Sequence, residues 1–235
     1  MQRLIIAIAA LAAVLSTARL GAWQLDRAAQ KQAAQALLDA RAALPPLSPA
    51  QLSTTREAAT EQHYRAVQLA GRWLAAHTVY LDNRQQGDGR PGFFVVTPLA
   101  LASGGAVLVQ RGWAPRDAAD RARLPPLSTP GGEIEIAGRI AAPPARLLEF
   151  DATVSGPIRQ NLDLDAFARE IGVGLRPLSV LQTSDSRDGL RRDWPRPALG
   201  VHKHYGYAFQ WFALAALIVG LYVWFQLVKP RLRRR

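Results

Sequence analysis

From Tyr205 to Val228 the chain runs for 24 residues without a charged side chain, dominated by Ala, Leu, Val, Phe and Trp. A helix needs about 20 such residues to cross a bilayer, so this run is long enough to span one. Trp211, Tyr222, Trp224 and Phe225 bring aromatic rings towards its ends, and five of the last seven residues are basic. Lys and Arg concentrate on the cytoplasmic side of spans, which puts the C-terminus in the cytoplasm. The second transmembrane helix is accordingly read as residues 203–228 and the basic cytoplasmic tail as 229–235.

That tail also explains the charge balance. The formal net charge is +11, from 29 basic and 18 acidic residues, and the five basic residues of the tail together with Arg3 supply six of the eleven. The remaining arginines lie among acids and prolines, not in a stripe interleaved with aromatics, so no nucleic-acid partner is expected. The absence of cysteine excludes a disulfide framework, a thiolate metal site and a cysteine nucleophile.

The N-terminus admits two readings. Leu4 to Leu15 is apolar but only 12 residues long, and Arg19 interrupts its continuation. A cleaved signal peptide would use Arg3 as its basic region and Ser16-Thr17-Ala18 as its small-residue cleavage site. An uncleaved first transmembrane helix would occupy residues 1–23, with Arg19 reaching to the outer interface and Trp23 anchoring there. Under both readings the middle of the chain lies outside the cytoplasm.

Gln24 to Ala43 is rich in helix formers and ends at Pro45-Pro46, so it reads as a helical extension of the first span. The Pro- and Ala-rich piece from Leu44 to Ala59 reads as a linker, making 24–59 extension plus linker. From residue 60 to 200 the pattern changes to short β-branched and aromatic segments separated by Gly and Pro clusters. Strands are predicted over Tyr64–Leu74, Val79–Asn83, Phe93–Leu99, Ala106–Gly112, Glu133–Ile140 and Leu178–Gln182. A short helix over Asp163–Ile171 is capped by Asp163 or Asp165. The expected fold is a membrane protein of α+β class: two transmembrane helices flanking a β-rich, antiparallel periplasmic domain.

Catalytic signatures are missing. There is no GxSxG elbow, HExxH pair or Walker loop, and Gly87 to Gly92 contains Pro91 and leads into no helical pattern, so it reads as a turn. Asp82 and Arg84 flank Asn83 at a strand end and suit a structural ion pair better than a ligand site. His63 and His77 are isolated. His202 and His204 differ, because they stand at the mouth of the second span. If the helix begins near His202, then His204, Tyr207, Ala208 and Trp211 share one face. An imidazole beside an aromatic wall at the edge of hydrocarbon suits the iron of an amphiphilic porphyrin. Arg19, Trp23 and Arg27 lie at similar depth on the first span, where a guanidinium could meet propionates. The alternative at this point is that His204 and the arginines only mark the interface.

Four segments together resemble a known family. Gly21-Ala22-Trp23-Gln24-Leu25-Asp26-Arg27 is similar to a GxWQxxR signature after a first span, and Gly92-Phe93-Phe94-Val95-Val96-Thr97-Pro98-Leu99 resembles a GYxVxTPL strand. Val109-Gln110-Arg111-Gly112-Trp113-Ala114-Pro115 is similar to VNRGWVP, with Gln110 in place of Asn. The run from His204 to Ala215 resembles the HLxYAxQWFxLA opening of a second span. In this order they mark the Surfeit locus protein one (Shy-type) family, assembly factors of cytochrome c oxidase.

The resemblance implies a non-enzymatic inner-membrane protein with both ends cytoplasmic, and it argues against cleavage of the first span. It also implies haem a as transient cargo for the catalytic subunit of the terminal oxidase, with haem a synthase as a further partner in respiratory chain biogenesis. The family's haem-linked histidine falls on His204, and Tyr207 and Gly92 are motif positions expected to matter. With Trp211, Trp23 and Arg27 these form the expected haem site, His204 being the iron ligand. The rival expectation is a scaffold that holds the nascent oxidase subunit without touching haem, docking it on the small-residue face of Ala208, Ala215 and Gly220.

Overall fold

The computed structural model describes residues 1–85, 89–120, 122–147, 156–194 and 200–232. The last three arginines of the basic tail and residues 87 and 88 of the expected turn lie outside the described residues. The chain divides into two compact units: Met1–Leu38 with Pro197–Arg235, and Asp39–Arg196.

The first unit is a pair of helices, α1 (Gln2–Ala42) and α4 (Val201–Val223). Both are long and apolar enough to cross a membrane. The expected extension after Trp23 is helical, continuous with the first span. Past Val223 the helix widens its bonding pattern into one π turn, Trp224–Val228, and resumes as α-helix over Lys229–Leu232. Together the two apolar helices and the sheet domain between them in sequence make a membrane protein of α+β class.

Among its described residues the second unit carries seven strands: β1 (Ala66–Trp73), β2 (Val79–Gln85), β3 (Pro91–Leu101), β4 (Ala106–Pro115), β5 (Glu133–Ala141), β6 (Ile158–Arg159) and β7 (Leu175–Gln182). The six predicted strands are β1 to β5 and β7; the two-residue β6 is too short to leave a periodic signal. Helix α3 (Leu164–Ile171) begins at Asp163, whose carboxylate accepts from the Ala166 N–H at 2.9 Å, and ends at Gly172 in the left-handed region.

The sheet is mixed, a correction to the antiparallel expectation. The strand order is β1-β5-β7-β4-β3-β2-β6, with β4–β7 and β2–β6 parallel. Turn-punctuated short strands suggest hairpins, and β3–β4 is one. But β7 follows the α3 crossover and enters between β4 and β5, parallel to β4 and antiparallel to β5, and a parallel pairing needs a crossover of this kind. β3 is shared: its first half pairs with β2 and its last residues pair with β1, Gly71 opposite Leu101 and Trp73 opposite Leu99. This extra pairing closes β1-β5-β7-β4-β3 into a small barrel, which removes the edges those strands would otherwise expose.

One core cluster joins Val67, Leu69, Trp73, Leu99, Val107, Val109, Ile136, Ile140, Leu178 and Val180 across those five strands. Leu47, Leu52 and Ala59 belong to the same cluster. The piece that composition marks as a linker is therefore part of the folded unit, a second correction. The Leu47 N–H donates to the Ala66 carbonyl at 2.9 Å, and the Gln68 N–H donates to the Leu47 carbonyl at 3.0 Å. Helix α2 (Arg56–Glu61), capped by Thr55, sits within this piece and buries Ala59. A second cluster places Phe167 and Leu164 of α3 against Val79, Leu81, Val96 and Leu108.

Candidate functional site

In the helix pair the shielded positions of α1 recur at Thr17, Gly21, Gln24, Ala28 and Lys31, and those of α4 at His204, Ala208, Trp211, Ala215 and Ile218. Spacings that alternate between four and three residues define a coiled-coil seam. Half of these residues are small, and small residues let helix backbones approach closely in lipid. Ala28 and Ala208 are 0% and 1% exposed. At Gly21 the helices come close: a Cβ there would lie 2.8 Å from Cζ of Phe212, so the ring would have to shift to admit a larger residue. We expect Gly21→Leu to weaken the pairing by about 1–3 kcal/mol, the usual cost of overpacking. Far-UV circular dichroism through an SDS titration checks this, with Gly206→Leu as the neutral control because Gly206 faces open space.

Within this seam lies the polar contact on which the site depends. His204 Nδ1 is 2.6 Å from Oε1 of Gln24, and the Tyr205 hydroxyl donates to Oε1 of Gln32 at 3.1 Å. Gly21 against Phe212 and Gln24 against His204 pair a rising α1 number with a falling α4 number, which makes the helices antiparallel. An ordinary helical residue pattern would not single out Gln24, but its place in the GxWQxxR segment does. Two segments 180 residues apart thus meet through Gly21 with Phe212 and Gln24 with His204.

The other expected site residues take different places. Trp211 lies on the seam and is half-buried, whereas Tyr207 is 53% exposed and Trp23 is 48% exposed. The Arg27 guanidinium lies over the Trp23 ring, 5.7 Å from its centroid, and donates to Oε1 of Gln30 at 3.0 Å. The charges of Lys31 and Arg27 both reach His204. Lys31 was not expected from sequence, since only the seam geometry places it beside the histidine. Arg19 and His202 are exposed and off the seam. Among the described residues no group of three or more His, Asp or Glu side chains could hold a metal ion. His204 Nε2 has no hydrogen bond among the described residues, and it is the nitrogen of this site that could bind one.

Gly92 belongs to the sheet unit, near the start of β3 opposite Pro115 of β4. A Cβ on it would lie 2.3 Å from the Ala114 carbonyl oxygen and 2.5 Å from the Trp113 ring. The Trp113 indole N–H donates to the Arg84 carbonyl at 2.9 Å. The two strand motifs are thus partners: GFFVVTPL and VQRGWAP form the β3–β4 hairpin, and Gly92 admits the Trp113 ring. Gln110, which replaces the family's Asn, is buried and donates to the Ser179 hydroxyl at 2.8 Å, tying β4 to β7. Asp82 pairs with Arg116 at 3.3 Å, not with Arg84, whose guanidinium donates to the Gln160 carbonyl at 2.9 Å.

Comparison with known proteins agrees with the motifs. The family model described as the SURF1 family matches residues 11–216. A SURF1-like protein of Rickettsia felis is 24% identical over 216 residues, covering 87% of this chain and 89% of the relative. A SURF1-like protein of Rickettsia bellii is 25% identical over 214 residues, covering 86% and 83%. With the match extending from the first apolar helix through the sheet unit into the second, the chain belongs to the SURF1 family, a family of oxidase assembly factors and not a class of enzyme.

Proposed function

We propose that the protein serves assembly of a haem-copper oxidase by carrying haem a at the His204 end of the helix pair and presenting it to the catalytic subunit. The single observation that carries this reading is the His204–Gln24 contact. It joins the two motif segments of the helix pair, and it positions an imidazole at the end of an apolar helix beside two cations. A haem iron takes a neutral imidazole nitrogen as axial ligand. The residues toward such a cargo have separate tasks: His204 offers its free ring nitrogen, Trp211 and Tyr207 offer flat apolar surface, and Trp23 extends it from α1. Arg27 and Lys31 supply positive charge for carboxylate tails. The cargo moves on unchanged, so the role is that of a carrier and requires no nucleophile.

In this reading the protein lies in the bacterial inner membrane with both termini cytoplasmic and the sheet unit in the periplasm. The basic residues after Val228 support that orientation. Its partners are the oxidase catalytic subunit and haem a synthase. The scaffold alternative needs an unspent small-residue stripe on α4, but Ala208 and Ala215 are already buried within this chain, leaving Gly220 open.

Absorption spectra of detergent-purified protein, produced alongside a haem a synthesis pathway and recorded oxidised and reduced, test the reading. A reduced haem a band that shifts or vanishes in His204→Ala, and persists in His202→Ala, is the expected result. Folded wild-type protein without haem, or a band untouched by His204→Ala, would overturn it.

A further inference from the structure

Gln24 reaches its histidine from a position that leaves it little freedom. On one side of the pair Phe212 packs over Gly21, and on the other the Tyr205 hydroxyl is bonded to Gln32 at 3.1 Å. These two contacts hold the register of α1 against α4, so the Gln24 amide cannot slide away from the imidazole without breaking one of them. At 2.6 Å the amide carbonyl oxygen and Nδ1 must share a proton. A carbonyl oxygen can only accept, so the ring nitrogen is the donor. A neutral imidazole carries one N–H, and a proton on Nδ1 leaves the lone pair on Nε2.

We infer that Gln24 is a positioning residue that locks His204 in the Nδ1–H tautomer, so that Nε2 is held ready as a metal-binding nitrogen before any cargo arrives. Outer partners of this kind fix the tautomer and orientation of ligating histidines in metal sites. The choice of an amide has its own consequence. A carboxylate at this place would draw the Nδ1 proton harder and make Nε2 more basic, giving a tighter bond to metal. The neutral amide orients the ring without that added basicity, which suits a ligand that must later let its cargo go. This refinement rests on the haem-carrier reading, but the tautomer itself can be measured without haem.

The measurement is nitrogen-15 NMR of full-length, histidine-labelled protein in detergent, at about pH 8.5, two units above the ordinary imidazole pKa of about 6.5. The His204 signals are identified by their loss in His204→Gln. Wild-type protein should show a protonated Nδ1 and an unprotonated Nε2. Gln24→Met, of similar length but without the acceptor, should shift the tautomer ratio about tenfold towards Nε2–H, the equivalent of one ordinary hydrogen bond. Gln24→Glu, which keeps an acceptor, should retain Nδ1–H. A wild-type signal with the proton on Nε2 overturns the inference whatever the variants do, and so does a ratio unmoved by Gln24→Met in folded protein. With ferric protoporphyrin IX as probe, Gln24→Glu should release it to apomyoglobin about tenfold more slowly, within the range by which such partners alter metal affinity. Equal release rates would overturn the part played by the amide. Tautomer shifts as expected in a protein that takes up no porphyrin would leave the lock standing and sink the carrier reading instead.

Discussion

Asp188→Ala is expected to unfold the sheet unit under conditions where the wild type is stable, because it would leave the buried Arg111 without its anion and Arg192 with only the exposed Asp185, 3.9 Å away. The Arg111 and Asp188 side chains are each 1% exposed, and Arg192 is 11% exposed. Asp188 accepts from Arg111 at 3.1 Å and from Arg192 at 2.6 and 2.8 Å, and its Oδ1 accepts the Leu190 N–H at 3.2 Å. Arg111 donates further to the Thr129 hydroxyl and the Ser128 carbonyl, and stacks 4.7 Å from the Trp73 ring centroid. Removing one member of a buried pair costs about 3–5 kcal/mol, against about 5–15 kcal/mol for a whole domain. Urea unfolding of full-length protein, followed by tryptophan fluorescence, should show the midpoint fall steeply.

The same carboxylate sets a pH limit. Burial acts to raise its pKa, but the Arg192 hydrogen bond and charge, the Leu190 N–H and the Arg111 charge outweigh burial and hold it below the ordinary aspartate value. A depressed folded pKa means that the stabilisation is complete above the unfolded value of about 3.9 and is lost as pH falls through the lower folded value. Wild-type stability should therefore drop below about pH 4. The Asp188→Ala variant should lack that part of the acid limb.

Gly92→Val should be nearly as damaging, for steric reasons. The Ala114 carbonyl is ladder backbone and cannot retreat from a new Cβ, and Trp113 is held by its indole hydrogen bond. Overpacking costs about 1–3 kcal/mol and occasionally more, and a rigid backbone neighbour places this site at the upper end. Gly131→Ala, in open space, should leave the midpoint unchanged. Reduced function in Gly92→Val with a lowered midpoint would assign Gly92 to hairpin packing; reduced function at a normal midpoint would assign it to binding.

The elements were legible because their signals are local. Charge-free length marks α4, Pro45-Pro46 ends α1, and alternation with Gly and Pro punctuation marks six strands. Pairing depends on residues far apart, and there sequence reasoning fell short. Nothing local to Leu175–Gln182 says that it inserts between β4 and β5. Leu47 and Leu52 look like isolated apolar residues in a proline-rich piece, since their burial is decided by strands that follow them. The candidate site divides in the same way. His204 stands out as an imidazole at the edge of an apolar helix, while Gln24 and Lys31 become its neighbours only once the antiparallel seam is known.

The late entry of β7 has a consequence for biosynthesis. Neither β4 nor β5 gains its inner neighbour until the chain has been made as far as Gln182, and α4 begins at Val201. At about 5–20 residues per second, the interval between those points is roughly 1–4 s. Until then the hydrogen-bonding edges of both strands stand open, the condition in which nascent sheets aggregate. Closure of the barrel and arrival of the histidine-bearing helix therefore fall almost together, so a ribosome that stalls just short of Gln182 leaves a chain with neither.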